Sequence, residues 1–368
     1  MAGKLPEGFD WLPAGATSSQ INTLLEAAGW FISGNSGLCA IVSPGAYGYG
    51  QALGFTGALA PGDSFFQAVR PVGAHNSTGG WVCAGLHLPV SPDHFPFLGV
   101  YDAVNAQNLI TVTFELNGVV RIYRGFSAKF GGVLLAQSEA GQFNLQTDFD
   151  VEIHFKVDST AGDVEVRING VSVVHAINVN TQPAANAFFD AICFGWSCIS
   201  NAPVTPACRF DNLRHYDATG SLNNTWLGTC RVQTSLAGGN GATTDFARSN
   251  TGLANWQNIA NQNVDDTLYL SDATVGGFNL SAIQPLVNSP VVDFIGVMTF
   301  MRQDDATQIT AKNRIVSAGV TRDGAAYNTS QSYTGDLDIL ETDPATGIQF
   351  TGAGVNALQI GPLFFTHA

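Results

Sequence analysis

Residues 148–174 alternate between apolar and polar side chains, and this alternation constrains the fold more than any other feature of the sequence. In the first arm, 148–157, every second side chain is apolar, which places the apolar set on one face of a strand. The second arm, 163–168, repeats the pattern, and the Asn169–Gly170 pair that follows is typical of a tight hairpin turn. The segment predicts neighbouring strands of an antiparallel sheet with one buried and one solvated face.

Composition favours a well-packed globular protein. Charged residues make up 12% of the chain and hydrophobic ones 45%, which argues against disorder. The formal net charge is −14 with only 15 Lys and Arg, so no nucleic-acid partner is expected, because phosphate contacts need clustered cations. Apolar runs fall short of the roughly 18 residues that span a membrane, so no membrane partner is expected either.

The N-terminal residues lack the apolar core and small-residue cleavage site of an ordinary signal peptide. We therefore expect a protein that is made in, and remains soluble in, a cytoplasm. The cysteines lack CxxC pairing and lie among apolar residues, which favours buried free thiols. A Cys198–Cys208 bridge across the loop NAPVTPA is the alternative.

One helix is predicted, over 21–30, with Ser18 or Ser19 as its cap and Gly29 at its end. Elsewhere Gly, Asn, Asp and Pro separate short apolar runs, which is typical of an all-β sandwich. Near residue 220 the alternation becomes less regular and the connections become longer and richer in Asn, Gly and Asp. This change predicts a β-sandwich over 1–217 and a smaller β-rich domain over 218–368. Within the latter, the nearly uncharged run PVVDFIGVMTFM predicts a strand buried on both faces.

Several strings occur in a characteristic order. They are PEGFDWLPAG near the start, GAYGYGQALGF at 45–55, FDNLRHYD at 210–217, NTWLG at 224–228, VDDTLYLSD from 264, and DPATGIQFTGAGVNALQIGPLFF at the C-terminus. Together they resemble a family of tailed-bacteriophage virion proteins, in which a concanavalin A-like (laminin G-like) jelly-roll sandwich precedes a short β-rich C-terminal region. The resemblance covers nearly the whole chain.

The resemblance implies a structural component of the virion, such as a minor tail, fibre-associated or capsid decoration protein, with a possible glycan-binding surface. It implies other virion proteins as partners, a homo-oligomer, and contact with a cell-surface glycan. The function expected is therefore non-enzymatic and carried by surfaces. A host-polysaccharide-binding lectin module is the alternative, followed by a sandwich-fold glycanase or lyase.

The ionisable row Asp148, Asp150, Glu152 and His154 is the strongest candidate for catalysis, because sandwich glycosidases use strand carboxylates. The row also carries Lys156, so the simpler interpretation is a solvated sheet face without a catalytic role. The sequence contains no G-x-S-x-G elbow and no E-x-D-x-x-E signature. We therefore expect no catalytic residues.

The run GAYGYG predicts a strand that crosses closely under another, with Tyr47 and Tyr49 packed in the core. The alternative is that both tyrosines form an exposed platform for sugar stacking. No resident cofactor is expected. Calcium stays open through two pairs of loop aspartates, Asp265–Asp266 and Asp304–Asp305.

Large apolar side chains outside regular alternation indicate contact surfaces between subunits. They lie in the N-terminal segment and in the C-terminal half. The candidates are Phe9, Trp11, Trp226, Phe364 and Phe365.

Overall fold

The computed structural model divides the chain into two compact units. The first comprises Met1–Asp10, Ala14–Glu26 and Trp30–Val232, and the second comprises Trp11–Pro13, Ala27–Gly29 and Gln233–Ala368. The structure describes residues 4–367 except 35–36, 38, 56–64, 77–78, 89–93, 116, 127–130, 186, 199–207, 261–265, 288–290 and 305–306.

Strands dominate the first unit. Its described elements are β1 (Leu5–Glu7), α1 (Ser18–Ala27), β2 (Phe31–Gly34), β3 (Cys39–Val42), β4 (Ala52–Phe55), β5 (Phe65–Asn76), β6 (Gly80–His87), β7 (His94–Asp102), β8 (Gln107–Phe114), β9 (Val120–Arg124), β10 (Val133–Gln137), β11 (Asp148–Lys156), β12 (Gly162–Ile168), β13 (Val171–Val179), β14 (Phe189–Cys198) and β15 (Cys208–Asp217).

These strands form two antiparallel sheets. Sheet A has the order β13-β12-β11-β6-β15-β4-β3 with β1 paired to β15, and sheet B has the order β10-β9-β8-β7-β14-β5-β2. The core lies between them, where the ring of Phe55 in sheet A lies 4.8 Å from that of Phe66 in sheet B. Phe155 and Phe189 make a similar contact at 4.7 Å. The predicted all-β jelly-roll sandwich is confirmed.

The alternation over 148–174 forms the expected pair of strands and the hairpin after it. In β11 and β12, Phe155 lies opposite Val164 and Glu152 lies opposite Arg167. The turn between β12 and β13 places Asn169 and Gly170 at φ values of 50° and 80°, as the sequence predicts. The apolar side chains of β11 face the core.

Helix α1 is present, but its cap differs from the prediction. The backbone N–H of Thr17 donates to Oε1 of Gln20 at 2.9 Å, and the N–H of Gln20 donates to Oγ1 of Thr17 at 3.3 Å. This reciprocal pair is a capping box, so Thr17 rather than Ser18 or Ser19 caps the helix. Gly29 follows its end at φ 85°.

The second unit is built from shorter strands. Its described elements are β16 (Ala237–Thr244), β17 (Ala247–Arg248), β18 (Leu270–Ser271), β19 (Asn279–Ile283), β20 (Val291–Val292), β21 (Ile295–Met301), β22 (Ile309–Ser317), β23 (Val320–Asp323), β24 (Tyr327–Asn328), β25 (Thr334–Leu340), β26 (Phe350–Thr351), α2 (Gly352–Asn356) and β27 (Gln359–His367).

The main sheet of this unit has the order β16-β19-β27-β22-β23, with β24 paired to β22. Its apolar cluster is Val297, Ile315, Leu340, Phe350, Val355 and Leu358. The prediction for PVVDFIGVMTFM is wrong: the run divides into β20 and β21, and most side chains of β21 are only half-buried. The reason is that β21 pairs with β25 in a two-stranded sheet instead of lying inside a large one.

The division between the units follows Val232 instead of residue 217. The intervening segment is tied to the sandwich, because the N–H of Val232 donates to Oδ1 of Asn212 at 2.8 Å. Lys4 likewise donates to the carbonyl of Leu222 at 3.2 Å. Residues 218–232 therefore belong structurally with the first unit.

The described cysteines are free thiols, and four of the five are buried: Cys39, Cys83, Cys193 and Cys208, with Cys230 half-buried. The alternative Cys198–Cys208 bridge is not formed, since Cys208 is free; the side chain of Cys198 lies outside the described residues. Within the described ranges, the helices are all too short or too polar to cross a membrane.

Candidate functional site

Residues 45–50, here called the tyrosine loop, close on themselves at the outer face of sheet A. The N–H of Gly45 donates to the carbonyl of Gly50 at 3.0 Å, and the N–H of Tyr49 donates to the carbonyl of Ala46 at 3.3 Å. Ala46–Gly48 is a single 3₁₀ turn in which Tyr47 adopts φ 58°. The predicted strand through GAYGYG is therefore wrong, because regular strand structure begins only at Ala52.

Three carboxylates tether the backbone of the loop and of Gln51, the residue that follows it. Oδ2 of Asp211 accepts the N–H of Ala46 at 2.7 Å. Oδ2 of Asp148 accepts the N–H of Tyr47 at 2.8 Å. Oδ1 of Asp10 accepts the N–H of Gln51 at 2.5 Å. These charge-assisted hydrogen bonds hold the turn rigidly against the sheet.

A glycine in the sheet lets the loop approach closely. Gly85 of β6 lies opposite Asp150 and Asp211, on the same outer face. A Cβ added at Gly85 would lie only 3.1 Å from the Cβ of Ala46, so a larger residue would push the loop outward. The absence of a side chain at Gly85 therefore allows the loop to lie close to the sheet.

The two tyrosine side chains project from this tethered turn. Tyr47 is 39% exposed and Tyr49 is 50% exposed, so the prediction that they pack in the core is wrong. Arg231 stacks on Tyr49, with its Cζ 4.1 Å from the ring centroid. The structure thus offers two accessible aromatic rings on a rigid support.

Beside the loop, a polar row crosses three strands of sheet A. Asp148 of β11 lies opposite His87 of β6, which lies opposite Arg209 of β15. Nδ1 of His87 lies 2.9 Å from Oδ1 of Asp148, and Nη1 of Arg209 donates to the carbonyl of Pro44 at 3.3 Å. Directly opposed side chains on one face lie close together, so these three form one row. The row borders the tyrosine loop, because Asp148 bonds to Tyr47 and Arg209 to Pro44.

Farther along the same face, the prediction of a solvated ionisable row is wrong for Asp150 and Glu152, whereas Asp148 and His154 are half-buried. Asp150 and Glu152 are each 1% exposed. Arg214 binds Asp150 through both terminal nitrogens, Nη1 to Oδ1 at 3.1 Å and Nη2 to Oδ2 at 3.0 Å. Oε1 of Glu152 accepts the hydroxyl of Tyr216 at 3.2 Å. Asp150 and Glu152 thus form a buried polar network with Arg214 and Tyr216 in place of a solvent-exposed surface.

Residues 226–232, here called the strap, cover this network. The N–H of Gly228 donates to Oε1 of Glu152 at 2.9 Å, and its carbonyl accepts Nη2 of Arg214 at 2.7 Å. Trp226 is half-buried and lies under the guanidinium of Arg167, whose Cζ is 3.8 Å from the ring centroid. Trp226, predicted as an interface residue, thus packs on the sandwich itself.

Burial changes the titration of two carboxyls in this region. It raises the pKa of Asp150 to about 6, although Arg214 opposes the change. Burial also raises the pKa of Asp211 to about 7, against the hydrogen bonds from Ala46 and Asn212. The folded chain therefore holds both protons more tightly than an exposed Asp would.

A histidine pair lies at the other end of the face. Nδ1 of His154 is 3.2 Å from Oδ1 of Asp163, and Nε2 of His175 is 3.1 Å from Oδ2 of the same residue. Among the residues that the structure describes, no group of three His, Cys, Asp or Glu is arranged to hold a metal ion. Of the calcium candidates, Asp265 and Asp305 lie outside the described residues.

The remaining predicted interface residues differ in exposure. Phe9 is fully buried, with its ring 5.9 Å from Phe194, and Phe364 is 5% exposed, so neither offers a contact surface. Phe365 is 39% exposed, and Nζ of Lys312 lies 3.4 Å from its ring centroid. Trp11, counted in the second unit, is half-buried, with its ring 5.6 Å from that of Phe300.

The tethering carboxylates were not recognised as such in the sequence. Asp148 was counted in the ionisable row, but Asp10 and Asp211 were not singled out. Each carboxylate lies at least 41 residues from the N–H that it accepts. The Gly-rich composition of GAYGYG was the available signal for a loop.

Comparisons with known proteins show similarity at low identity only. No protein-family model matches the chain, and no curated protein sequence matches it. A carbohydrate-binding module from Bacillus subtilis is 12% identical, covering 52% of this chain and 96% of its own, with a TM-score of 0.34. An endo-β-1,4-glucuronan lyase from Trichoderma reesei is 13% identical, covering 51% and 91%, with a TM-score of 0.39. An alginate lyase from a Chlorella virus is 13% identical, covering 55% and 99%, with a TM-score of 0.36.

Proposed function

We propose that the first unit is a polysaccharide-binding module and that the tyrosine loop is its binding site. The observation that carries the proposal is the pair of exposed rings, Tyr47 and Tyr49, on a turn fixed by three carboxylates. A pyranose ring has an apolar C–H face that packs on an aromatic ring, and its hydroxyls pair with neighbouring polar groups. His87 and Asp148 supply such groups at the edge of the loop.

Rigidity of the site supports this function. A binding surface that is already ordered loses little conformational entropy when the ligand arrives, so more of the contact energy appears as affinity. Tyrosine suits this purpose because it presents a large amphipathic surface with few rotatable bonds. The tethered backbone of the loop provides the same advantage at the level of the main chain.

We further propose that this module belongs to a non-enzymatic component of a bacteriophage particle that adheres to host polysaccharide. The support is the ordered resemblance of strings such as NTWLG to tailed-phage virion proteins. Other virion proteins and further copies of this chain are the expected partners. Phe365, exposed and paired with Lys312, remains a candidate contact. Immunogold labelling of purified particles tests this placement, and particles without label contradict it.

The burial of the ionisable row supports a non-enzymatic role. Asp150 is bound by Arg214, and Glu152 is bound by Tyr216 and the strap. Carboxylates that act on a glycosidic bond have to reach it, whereas these two are 1% exposed. A glycosidase centred on this row is therefore disfavoured.

A polysaccharide lyase is the second candidate, favoured by the His87–Asp148 pair. A carboxylate bonded to one ring nitrogen orients a histidine as a proton acceptor, and Arg209 lies next to it on the sheet. The test is release of unsaturated sugar, followed by ultraviolet absorbance, by the wild type and by His87→Gln. Release that requires His87 would replace the binding function with an enzymatic one.

The binding function is tested by glycan-array and calorimetric measurements on the whole protein and on Tyr47→Ala and Tyr49→Ala. Loss of one stacking ring is expected to weaken binding about ten-fold, and loss of both to abolish it. Phe31→Ala is the matched control, because Phe31 is 61% exposed but lies on β2 of sheet B. Equal binding by the double variant and the wild type would reject this site.

A further inference from the structure

Two arginines flank the tyrosine loop. Arg209 reaches the carbonyl of Pro44, immediately before the loop, and Arg231 stacks on Tyr49 within it. In the described part of the chain neither forms an ion pair with a carboxylate. The Nε of Arg209 is moreover buried without a hydrogen-bond partner among the described atoms.

Neither arginine has a carboxylate of a described residue within ion-pair distance, although the chain has 29 Asp and Glu against 15 Lys and Arg. Several other arginines do lie within ion-pair distance of a carboxylate: Arg121, Arg167, Arg214, Arg302 and Arg314. Around the loop, the carboxylates of Asp10, Asp148 and Asp211 instead accept backbone N–H groups. The charge of Arg231 lowers the pKa of Asp211 without an ion-pair contact. Most N–H donors of the two guanidinium groups beside the exposed rings are thus left for a ligand.

We propose that the polysaccharide bound by the tyrosine loop carries carboxylates, as chains of uronic acids do, and that Arg209 and Arg231 bind those carboxylates. This inference rests on the proposed binding function and names its ligand class. A guanidinium presents paired N–H donors in a plane that matches a carboxylate, and such charge-assisted hydrogen bonds are stronger than neutral ones. The tyrosines then bind the sugar ring and the arginines select its charge.

The test compares matched ligands. Uronate oligosaccharides of several linkages are titrated into the whole protein beside their carboxyl-reduced counterparts, which differ only in having a neutral alcohol at the same carbon. The wild type is expected to bind at least one uronate about ten-fold or more tightly than its reduced counterpart. Arg209→Gln and Arg231→Gln are each expected to lower the affinity for that uronate about ten-fold more than the affinity for its reduced counterpart, which loses only the support that each arginine gives to the loop.

Arg124→Gln is the control, since Arg124 lies on β9 of sheet B. Thermal unfolding of each variant shows that the fold is retained. Tyrosine-dependent binding that is equal for uronate and reduced ligands overturns the inference while the proposed function stands. Equal affinity for a sulfated neutral chain also overturns it, because charge alone would then suffice. Absence of tyrosine-dependent binding to any ligand, neutral ones included, rejects the proposed function itself.

Discussion

Arg214 and Asp150 form a bidentate ion pair on the outer face of sheet A, with side chains 2% and 0% exposed. In a buried pair of this kind, each charge compensates the other. Either charge alone in the protein interior would be strongly unfavourable. The carbonyls of Asn212 and Gly228 each accept one further hydrogen bond from Nη1 and Nη2 of Arg214, whereas Nε has no partner among the described atoms. The pair therefore links two strands of the sheet to the strap.

Arg214→Met is expected to lower the free energy of unfolding by about 3–5 kcal/mol, because Asp150 would remain buried without its partner. The measurement is urea-induced unfolding followed by tryptophan fluorescence. In the double variant Arg214→Met/Asp150→Leu, part of the loss should be recovered, since the charge of Asp150 is removed while Glu152 keeps its hydrogen bonds from Tyr216 and Gly228. A single variant as stable as the wild type would show that the pair contributes nothing.

Asp211→Asn is expected to remove a pH-dependent loss of stability, on top of a constant cost, because Oδ2 and Oδ1 of Asp211 accept the N–H groups of Ala46 and Asn212 and an amide has one accepting oxygen. Burial raises the pKa of Asp211 to about 7, whereas an unfolded Asp titrates near ~3.9. The folded state therefore binds this proton more tightly, so the stabilisation from protonation is complete below about pH 4 and is lost as the pH rises to about 7.

The stability of the variant relative to the wild type is expected to rise by about 1–3 kcal/mol between pH ~4 and pH ~7. Denaturant unfolding across this range measures it. Asp304→Asn is the control, because its side chain is 83% exposed. A difference that does not change with pH would contradict the elevated pKa.

Gly85→Ala is expected to weaken polysaccharide binding about ten-fold by lifting the tyrosine loop, with a stability cost of about 1 kcal/mol. The new Cβ would lie 3.1 Å from the Cβ of Ala46 and 3.3 Å from Nδ2 of Asn212, so these neighbours have to shift by a few tenths of an ångström. Ala46→Gly in the same chain removes the opposing methyl and should restore binding. If the double variant binds no better than Gly85→Ala, the contact between the new Cβ and the methyl group of Ala46 is not the cause of the weaker binding.

Asp148→Ala is expected to weaken binding and to lower the free energy of unfolding by about 1–2 kcal/mol, because the N–H of Tyr47 and the ring of His87 both lose their acceptor. Calorimetry and urea unfolding measure the two effects. His87→Gln separates them, since it keeps the tether to Tyr47. A loop that binds normally without Asp148 would show that the tether is unnecessary.

The sandwich was predictable because alternation along β11 and β12 is a local property with period two, and the Asn169–Gly170 turn is equally local. Alternation tells which side chains share a face, and it correctly separated Phe149 and Phe155 from the polar row. It does not tell what covers the other face. The solvated face was therefore the wrong inference for Asp150 and Glu152.

What the sequence left undetermined depends on contacts distant in the chain. Arg214 meets Asp150 across 64 residues, and Gly228 meets Glu152 across 76. The tyrosine loop was misassigned for a similar reason, since its hydrogen bonds to Asp148 and Asp211 span 101 and 165 residues. Glycine spacing suggested a close approach but not which segment would approach.

The strap also bears on how such a module can pass between genes. A recombination event that ended the sandwich at its last strand, β15, would remove one of the two donors to Glu152, the N–H of Gly228, and leave Arg214 open to water. An exchange after Val232 would carry the covering segment with the sheet that needs it. A sandwich that is exchanged between genes therefore has to include residues 218–232. Chimaeric proteins joined at residue 232 should fold, whereas those joined at residue 217 should not.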